Sequence, residues 1–434
     1  MNGDGPATDT AGALALHEGG MKAAGEGRLE EAARLMEQSV EADPAPPVYF
    51  RNLCEVYRRL GRYDEALASG LRAVAGDPTD AFAHANLSVL RYERLEPAEA
   101  IASAERAIAL APSLPSGHFG LAEAALLTGD LARGWEAYEW RFRMEGVPPL
   151  TPGLDLPIWD GAPLSEGRLL LVADQGFGDC LQFARFIPWA RARCPDLVIA
   201  ASAELQPLIA QVAPGVTMFE AWARVPTCVA VSALSSLPRL AGVRLETIPT
   251  PIPYLRADPA KAAAWRARLD QLAAPGARRV GLVWAGRPTH RNDRNRSVAL
   301  TALGAITDLA GVTFVGLQKG PTVPQVGGYF GRAPLINLGP ELADFEDTLA
   351  VVDGLDLVLT VDTAVAHLAG AAGKPVWVML PHAPDWRWLM DRTDTPWYPT
   401  MRLFRPPAPR DWPSVTAAVA AAMRDTFGLG QSPS

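Results

Sequence analysis

The chain has 434 residues, which is enough for two or three domains with sizeable hydrophobic cores and excludes a small disulfide scaffold. Hydrophobic residues make up 49% of the chain and charged residues 20%, as in folded globular proteins. The formal charge of -8 is concentrated in the first third, and neither part carries the basic stripe of a nucleic-acid binder. We therefore expect no nucleic-acid partner.

Targeting and metal-binding signals are also missing from the pattern. The first twenty residues have no basic n-region, and no run approaches the ~20 apolar residues that cross a bilayer. We therefore expect a cytoplasmic protein without a transmembrane segment. The four cysteines are scattered without Cys-x-x-Cys spacing, which predicts reduced, mostly buried thiols and neither a zinc site nor a disulfide framework.

A period of 34 residues runs through the first third. Three columns keep this spacing: Gly27, Gly61, Leu95 and Gly129; Ala32, Ala66, Ala100 and Gly134; and Pro44, Pro78 and Pro112. Glycine permits a tight turn between two helices, and proline ends the second helix of a pair. The pattern predicts four helical pairs over residues 13–148, a solenoid that resembles the tetratricopeptide repeat.

Stacked repeats of this kind present a concave face that suits a protein or peptide partner. The acidic bias of the array favours a neutral or basic partner segment. Alternatively, the repeats only cap the neighbouring domain or form a dimer contact.

From Arg168 onwards, short apolar runs alternate with helical stretches, which is typical of parallel sheets. The predicted strands are Arg168–Ala173, Leu197–Ala201, Val216–Phe219, Thr227–Val231, Arg279–Trp284, Thr313–Leu317, Leu357–Val361 and Pro375–Leu380. The helices predicted in the second set are Leu300–Leu309, Asp344–Val352 and Thr363–Ala372. A proline-rich linker separates two Rossmann-like domains, residues 155–255 and 256–410, and ligands are expected at the carboxyl ends of their strands.

The first segment with candidate chemistry follows the first strand and opens a helix. It reads Asp-Gln-Gly-Phe-Gly-Asp from Asp174 to Asp179, and Gly176 and Gly178 allow close backbone approach. A dinucleotide fingerprint would need a third glycine shortly after Gly178, and its absence argues against a dehydrogenase. Asp179 is predicted either to cap the helix or to act chemically in a cleft.

The second segment is again a strand that leads into a helix, with Asp362, Thr363 and Ala364 at the junction. Asp362 or Thr363 can cap this helix while its free amides receive a phosphate. His367 lies about one turn further on the same face. A third stretch, Pro381–Trp388, could stack on a base or sugar, although packing is favoured there.

At these residues the chain resembles inverting glycosyltransferases of the GT-B fold, in particular the bacterial ADP-heptose:lipopolysaccharide heptosyltransferases. The Gly-Phe-Gly-Asp turn and the Val-Asp-Thr segment followed by His carry this resemblance. Repeats followed by such a transferase look like bacterial tetratricopeptide-repeat glycosyltransferases, among them flagellin glycosyltransferases, and distantly like O-linked N-acetylglucosamine transferase. The resemblance implies a helical solenoid followed by an α/β GT-B fold, with a final helix, residues 411–427, that crosses back to the first Rossmann-like domain.

The resemblance also implies roles for individual residues. Asp179 would be the general base, and Gly176 and Gly178 would shape its loop. The donor phosphates would be held by Asp362, Thr363, Ala364, His367, Arg291, Arg296 and Lys319. Ala364 stands where the family usually has glycine. GT-B enzymes use protein groups at the leaving phosphate, and the chain has no Asp-x-Asp, so we expect no metal and no cofactor besides the nucleotide-sugar substrate.

The leading hypothesis is therefore a metal-independent inverting transferase that moves a sugar from a nucleotide-sugar to a protein hydroxyl, with the acceptor, for which flagellin is a candidate, selected by the repeats. A second reading is transfer to lipopolysaccharide or another saccharide. A third is a scaffold without catalysis.

Overall fold

A computed structural model describes residues 9–249, 251–290 and 292–430. The chain divides between Val147 and Pro148 into two compact units. The first unit is helical, and the second is built on two parallel sheets.

The first unit consists of antiparallel helical pairs. Its helices are α1 (Thr10–Gly25), α2 (Leu29–Ala42), α3 (Pro47–Leu60), α4 (Tyr63–Gly76), α5 (Ala81–Glu93), α6 (Pro97–Leu110), α7 (Pro115–Leu127) and α8 (Leu131–Tyr138). Each helix packs on the next one, and successive first helices of the pairs also contact one another. The predicted helical repeat is therefore confirmed, and the first helices of successive pairs form one continuous side of the array.

The turn inside each pair explains the glycine column. Gly27, Gly61 and Gly129 have φ angles of 79°, 79° and 86°, in the left-handed region that glycine adopts without strain. Leu95 takes the same place in the third pair with φ 59°. The turn geometry is thus kept even where the glycine is not.

The small-residue column lies where the two helices of a pair meet. Ala32, Ala66 and Ala100 are fully buried there. A Cβ atom at Gly134 would lie 2.5 Å from Cγ of Leu126, so the last pair has no room even for alanine.

The second unit begins with a four-stranded sheet in the order β3-β2-β1-β4. Its strands are β1 (Leu169–Val172), β2 (Leu197–Ala200), β3 (Thr217–Phe219) and β4 (Ala230–Ala233), and all their pairings are parallel. The helices of this part are α9 (Phe177–Phe183), α10 (Ile187–Arg193), α11 (Gln206–Val212) and α12 (Leu237–Leu240). The first three strands match their predicted segments, whereas β4 lies about three residues later than predicted.

A six-stranded parallel sheet follows, in the order β10-β9-β8-β5-β6-β7. Its elements are α13 (Pro259–Leu272), β5 (Arg278–Val283), α14 (Asp293–Arg296), α15 (Gly304–Thr307), β6 (Val312–Gly316), β7 (Leu335–Asn337), α16 (Phe345–Asp353), β8 (Leu357–Val361), α17 (Ala364–Ala371), β9 (Val376–Met379), β10 (Met401–Phe404) and α18 (Trp412–Phe427). The sequence predicted β5, β6, β8 and β9 but missed β7, β10 and α13.

The expectation that the final helix crosses back to the first sheet is wrong. Helix α18 packs on α15 and β10, and its buried residues Val415, Val419 and Met423 join the core of the six-stranded sheet. Apolar side chains of α15 and the turn before it, including Leu303 and Ile306, complete this contact. The helix therefore covers its own sheet.

Candidate functional site

Both predicted segments begin at points where the strand order of a sheet changes direction. In the four-stranded sheet this point lies between β1 and β4, and in the six-stranded sheet it lies between β5 and β8. The segment Asp174–Asp179 follows β1, and Asp362 directly follows β8. Open α/β sheets bind ligands outside the carboxyl ends of strands at such switch points.

The two segments meet at Gly178. A Cβ atom on this residue would lie 2.8 Å from Cδ2 of His367 and 3.5 Å from Cα of Ala364. The missing side chain lets the first turns of α9 and α17 pack against each other. The loops also meet at Phe177, whose ring lies edge-on to Phe345 with centroids 5.1 Å apart.

Asp179 lies in the first turn of α9 but does not cap it. The cap position is Gly176, which has no side chain to accept a hydrogen bond from this helix start. The carboxylate forms an ion pair with Arg387 instead, and its side chain is 23% exposed. Burial raises the pKa of Asp179 above its usual value, Arg387 opposes this shift, and the charges of Asp385 and Asp174 add to it.

Arg387 is a site residue that the sequence analysis did not identify. It lies on the turn after β9, in the stretch for which packing was favoured, and it is buried. Its guanidinium donates to Asp179, to Oε1 of Gln182 over 2.8 Å and to Oδ1 of Asp385 over 2.8 Å. The Asp-Trp-Arg run was the only local signal.

Asp362 is half-buried beside a second group of charges. Burial and the charge of Asp385 raise its pKa to about 6, against the opposing effects of Arg296, Trp388 and Arg387. Asp179 and Asp362 thus both lie near the Asp385 carboxylate and the Arg387 guanidinium.

Helix α17 begins without a side-chain cap. Thr363 holds the cap position, but its Oγ1 lies 3.0 Å from Oγ1 of Thr360 rather than on the helix amides. Thr363 therefore holds one of the two predicted cap positions, but the expected side-chain cap bond is not formed. The amides at Ala364 and the next residue keep the partial positive charge of a helix N-terminus.

His367 is a buried packing residue. Its Nδ1 lies 3.0 Å from Oη of Tyr398, and its ring stacks on Trp388 with centroids 5.3 Å apart. Burial lowers the pKa of His367 well below its usual value, and the nearby charges of Arg387 and Arg185 act in the same direction. The ring is therefore neutral at physiological pH and supplies no positive charge to a phosphate.

The remaining predicted cations are placed differently from one another. Arg296 ends α14, lies near enough to Asp362 to favour its charged form and packs over Gly286, where a Cβ would approach Nη2 to 2.5 Å. Lys319 follows β6, is exposed, and its ammonium donates to the carbonyl of Leu342. Among the described residues, no contact is seen between Lys319 and Asp362. Arg291 lies outside the described residues.

Among residues 9–249, 251–290 and 292–430, no cluster of three or more His, Cys, Asp or Glu side chains is arranged to hold a metal ion. Over the same described part of the chain, no helix has the length and apolar character required to cross a bilayer.

The chain is similar to protein FlbA of Caulobacter vibrioides, with 28% identity over 440 residues that cover 92% of this chain and 70% of FlbA. No protein-family model matches it. Solved structures with partial similarity include the first tetratricopeptide domain of Spaghetti (RPAP3) bound to an HSP90 peptide, at 27% identity and TM-score 0.27 over 28% of this chain and 96% of that one. Another is a crystal structure of MamA, at 26% identity and TM-score 0.27 over 29% of this chain and 74% of that one.

Proposed function

We propose that the second unit is an inverting glycosyltransferase that uses a nucleotide-sugar donor. One observation carries the proposal: the Gly178 contact brings the first turn that holds Asp179 against the uncapped start of α17 at Ala364. A carboxylate and a phosphate-binding helix N-terminus are the two groups that glycosyl transfer needs side by side.

In the proposed reaction, the Asp179 carboxylate takes the proton of an acceptor hydroxyl. The hydroxyl oxygen then forms a bond to the anomeric carbon of the donor sugar while the bond from that carbon to the phosphate oxygen breaks. The nucleotide leaves with the electron pair. The amides at the start of α17 and the guanidinium of Arg296 stabilise the negative charge that develops on the leaving phosphate.

Asp362 fits this donor side only as a carboxyl group that is readily protonated. An ionised carboxylate next to a phosphate costs repulsion, whereas a protonated one donates a hydrogen bond to it. The raised pKa of about 6 lowers the cost of taking up a proton when the phosphate binds. We infer that Asp362 is protonated in the donor complex.

We propose that the repeats bind the acceptor polypeptide on the side formed by the first helices of the pairs. Acidic residues outnumber basic ones on the second helices, whereas the two kinds are about balanced on the first helices. The acidic excess of the array thus lies mainly on the second helices, away from the side formed by the first helices. Because the first helices carry about as many basic as acidic residues, their charge does not require a basic partner segment.

The test is thermal unfolding of the full chain with UDP-N-acetylglucosamine, ADP-glucose, GDP-mannose or CMP-N-acetylneuraminate, each with EDTA and with magnesium. A bound donor raises the Tm by mass action. Release of the nucleotide, with water as the acceptor, is then compared between wild type, Asp179→Asn and the exposed control Asp394→Asn. The proposal is supported if a donor raises the Tm and if nucleotide release is lost in Asp179→Asn but kept in the wild type and in Asp394→Asn. If Asp179→Asn releases nucleotide as fast as the wild type, Asp179 is not the base.

A scaffold without catalysis is the second candidate. It is favoured by the use of Asp179, Arg387 and His367 in contacts between the loops of the two sheets. A protein that binds none of the four nucleotide-sugars and releases no nucleotide would support this alternative.

A further inference from the structure

Arg387 contacts one side of helix α9 at two residues. Its Nη2 donates to Asp179 and its Nε donates to Gln182, which lies three residues later and so on the same helix face. The third nitrogen, Nη1, donates to Asp385, whose carboxylate also accepts from the backbone N–H of Arg387 over 3.0 Å. All three nitrogens of the fork therefore have fixed partners.

Aromatic rings hold the guanidinium plane as well. Its Cζ lies 4.1 Å from the centroid of Trp386 and 5.6 Å from that of Phe183. A planar guanidinium held in this way fixes the direction of each of its hydrogen bonds. The ammonium group of a lysine, on its flexible stem, would not do so. The orientation of the Asp179 carboxylate is thereby determined by a residue 208 positions away in the chain.

We propose that Arg387 is the positioning residue of the Asp179 base: it binds Oδ1 and directs Oδ2 toward the acceptor hydroxyl. This proposal rests on the function proposed above. Oδ2 lies 3.2 Å from where a Cβ of Gly176 would stand, so the glycine leaves space beside this oxygen.

Charge explains why this position requires a cation. The charged groups that face Asp179 are Asp174 on the loop after β1 and Asp385 and Arg387 on the turn after β9. Without Arg387, two carboxylates and burial would all favour the protonated form of Asp179. A protonated Asp179 cannot accept the proton of a hydroxyl group.

The charges predict opposite shifts for two variants. Arg387→Gln removes the cation, so the acid limb of the pH profile of nucleotide release should move to higher pH. Asp385→Asn keeps an oxygen for the fork but removes a like charge, so the same limb should move to lower pH. Arg387→Lys keeps the charge and loses the fork, so the limb should stay near its wild-type place while turnover falls about tenfold or more.

The experiment measures nucleotide release from the four donors named above, across pH, for the full-length wild type and these variants. Arg402→Gln is the matched control, because Arg402 is exposed on the edge strand β10. Each variant is included only after its Tm shows that it is folded, and Asp385→Asn and Arg387→Lys keep the test valid if Arg387→Gln does not fold. Donor concentrations for half-maximal rate should change little, since Arg387 acts on the base.

The two failures are distinguishable. If wild type neither binds nor turns over any of the four donors, the proposed function loses its support. If wild type is active and Asp179→Asn is not, but the Arg387 and Asp385 variants keep the wild-type acid limb, the function stands and the role of Arg387 is overturned.

Discussion

Gly178 and His367 lie so close that neither could keep its position if Gly178 carried a side chain. A Cβ at Gly178 would be 2.8 Å from Cδ2 of His367, and His367 cannot retreat because its ring is stacked on Trp388. This contact joins the helix that follows the first strand of one sheet to the helix that follows a central strand of the other. Both proposed halves of the site depend on it.

Gly178→Ala should therefore destabilise the second unit by about 1–3 kcal/mol, the usual cost of forcing extra atoms into a packed contact. Gly304→Ala is the control, because a Cβ at this helical position meets nothing within 4 Å. The comparison is made by denaturant unfolding. Equal stability of both variants would show that the helices separate freely at this point.

The turn between the two helices of a repeat allows a test of backbone conformation alone. Gly27 has φ 79° and open space around it, whereas Gly25 is helical and also has open space. Gly27→Ala should cost about 1 kcal/mol, because an L-residue is strained in the left-handed region. Gly25→Ala should be neutral or slightly stabilising, since alanine favours helix. If Gly27→Ala and Gly25→Ala lower the Tm equally, the left-handed conformation of Gly27 is not what makes glycine necessary in this turn.

Asp362 should give the protein a pH-dependent stability. Its pKa is about 6 in the folded protein, above the ordinary value of 3.8. A carboxyl group with a raised folded pKa favours the folded state below its unfolded pKa, and this contribution is lost as the pH rises through the folded value. The Tm of Asp362→Asn, relative to wild type, should therefore increase from about pH 4 to about pH 7. Asp394→Asn serves as control: Arg392 lowers the pKa of Asp394, so this carboxyl is ionised throughout this pH range and the relative Tm of the variant should not rise.

The His367–Tyr398 contact should be stabilising because both groups are buried. Tyr398→Phe removes the hydroxyl 3.0 Å from Nδ1 and leaves that nitrogen without this partner, at a cost of about 1–3 kcal/mol. The double variant His367→Phe/Tyr398→Phe should lose less free energy of unfolding than the sum of the losses in the two single variants. Strict additivity in a thermal or denaturant cycle would mean that the two groups do not interact.

Much of the local structure was predictable from the sequence, because it depends on neighbours a few residues apart. The 34-residue period determined the helical pairs, and apolar runs determined β1, β5 and β8 together with the helices that follow β1 and β8. The strands β7 and β10 were not predicted, because neither has the apolar run that marks a buried strand. β7 has only three half-buried residues, and β10 is an edge strand with the charged Arg402 in its middle.

The sequence alone placed Asp179 and Asp362 at strand ends, but it could not say which charges would surround them. Only the tertiary structure brings Arg387 to Asp179 and buries His367 as a neutral ring between Gly178 and Trp388. It also places α18 on its own sheet and leaves Lys319 exposed. The reason is that a side chain's burial and its ionic partners come from contacts between distant segments, and local residue patterns do not record these contacts.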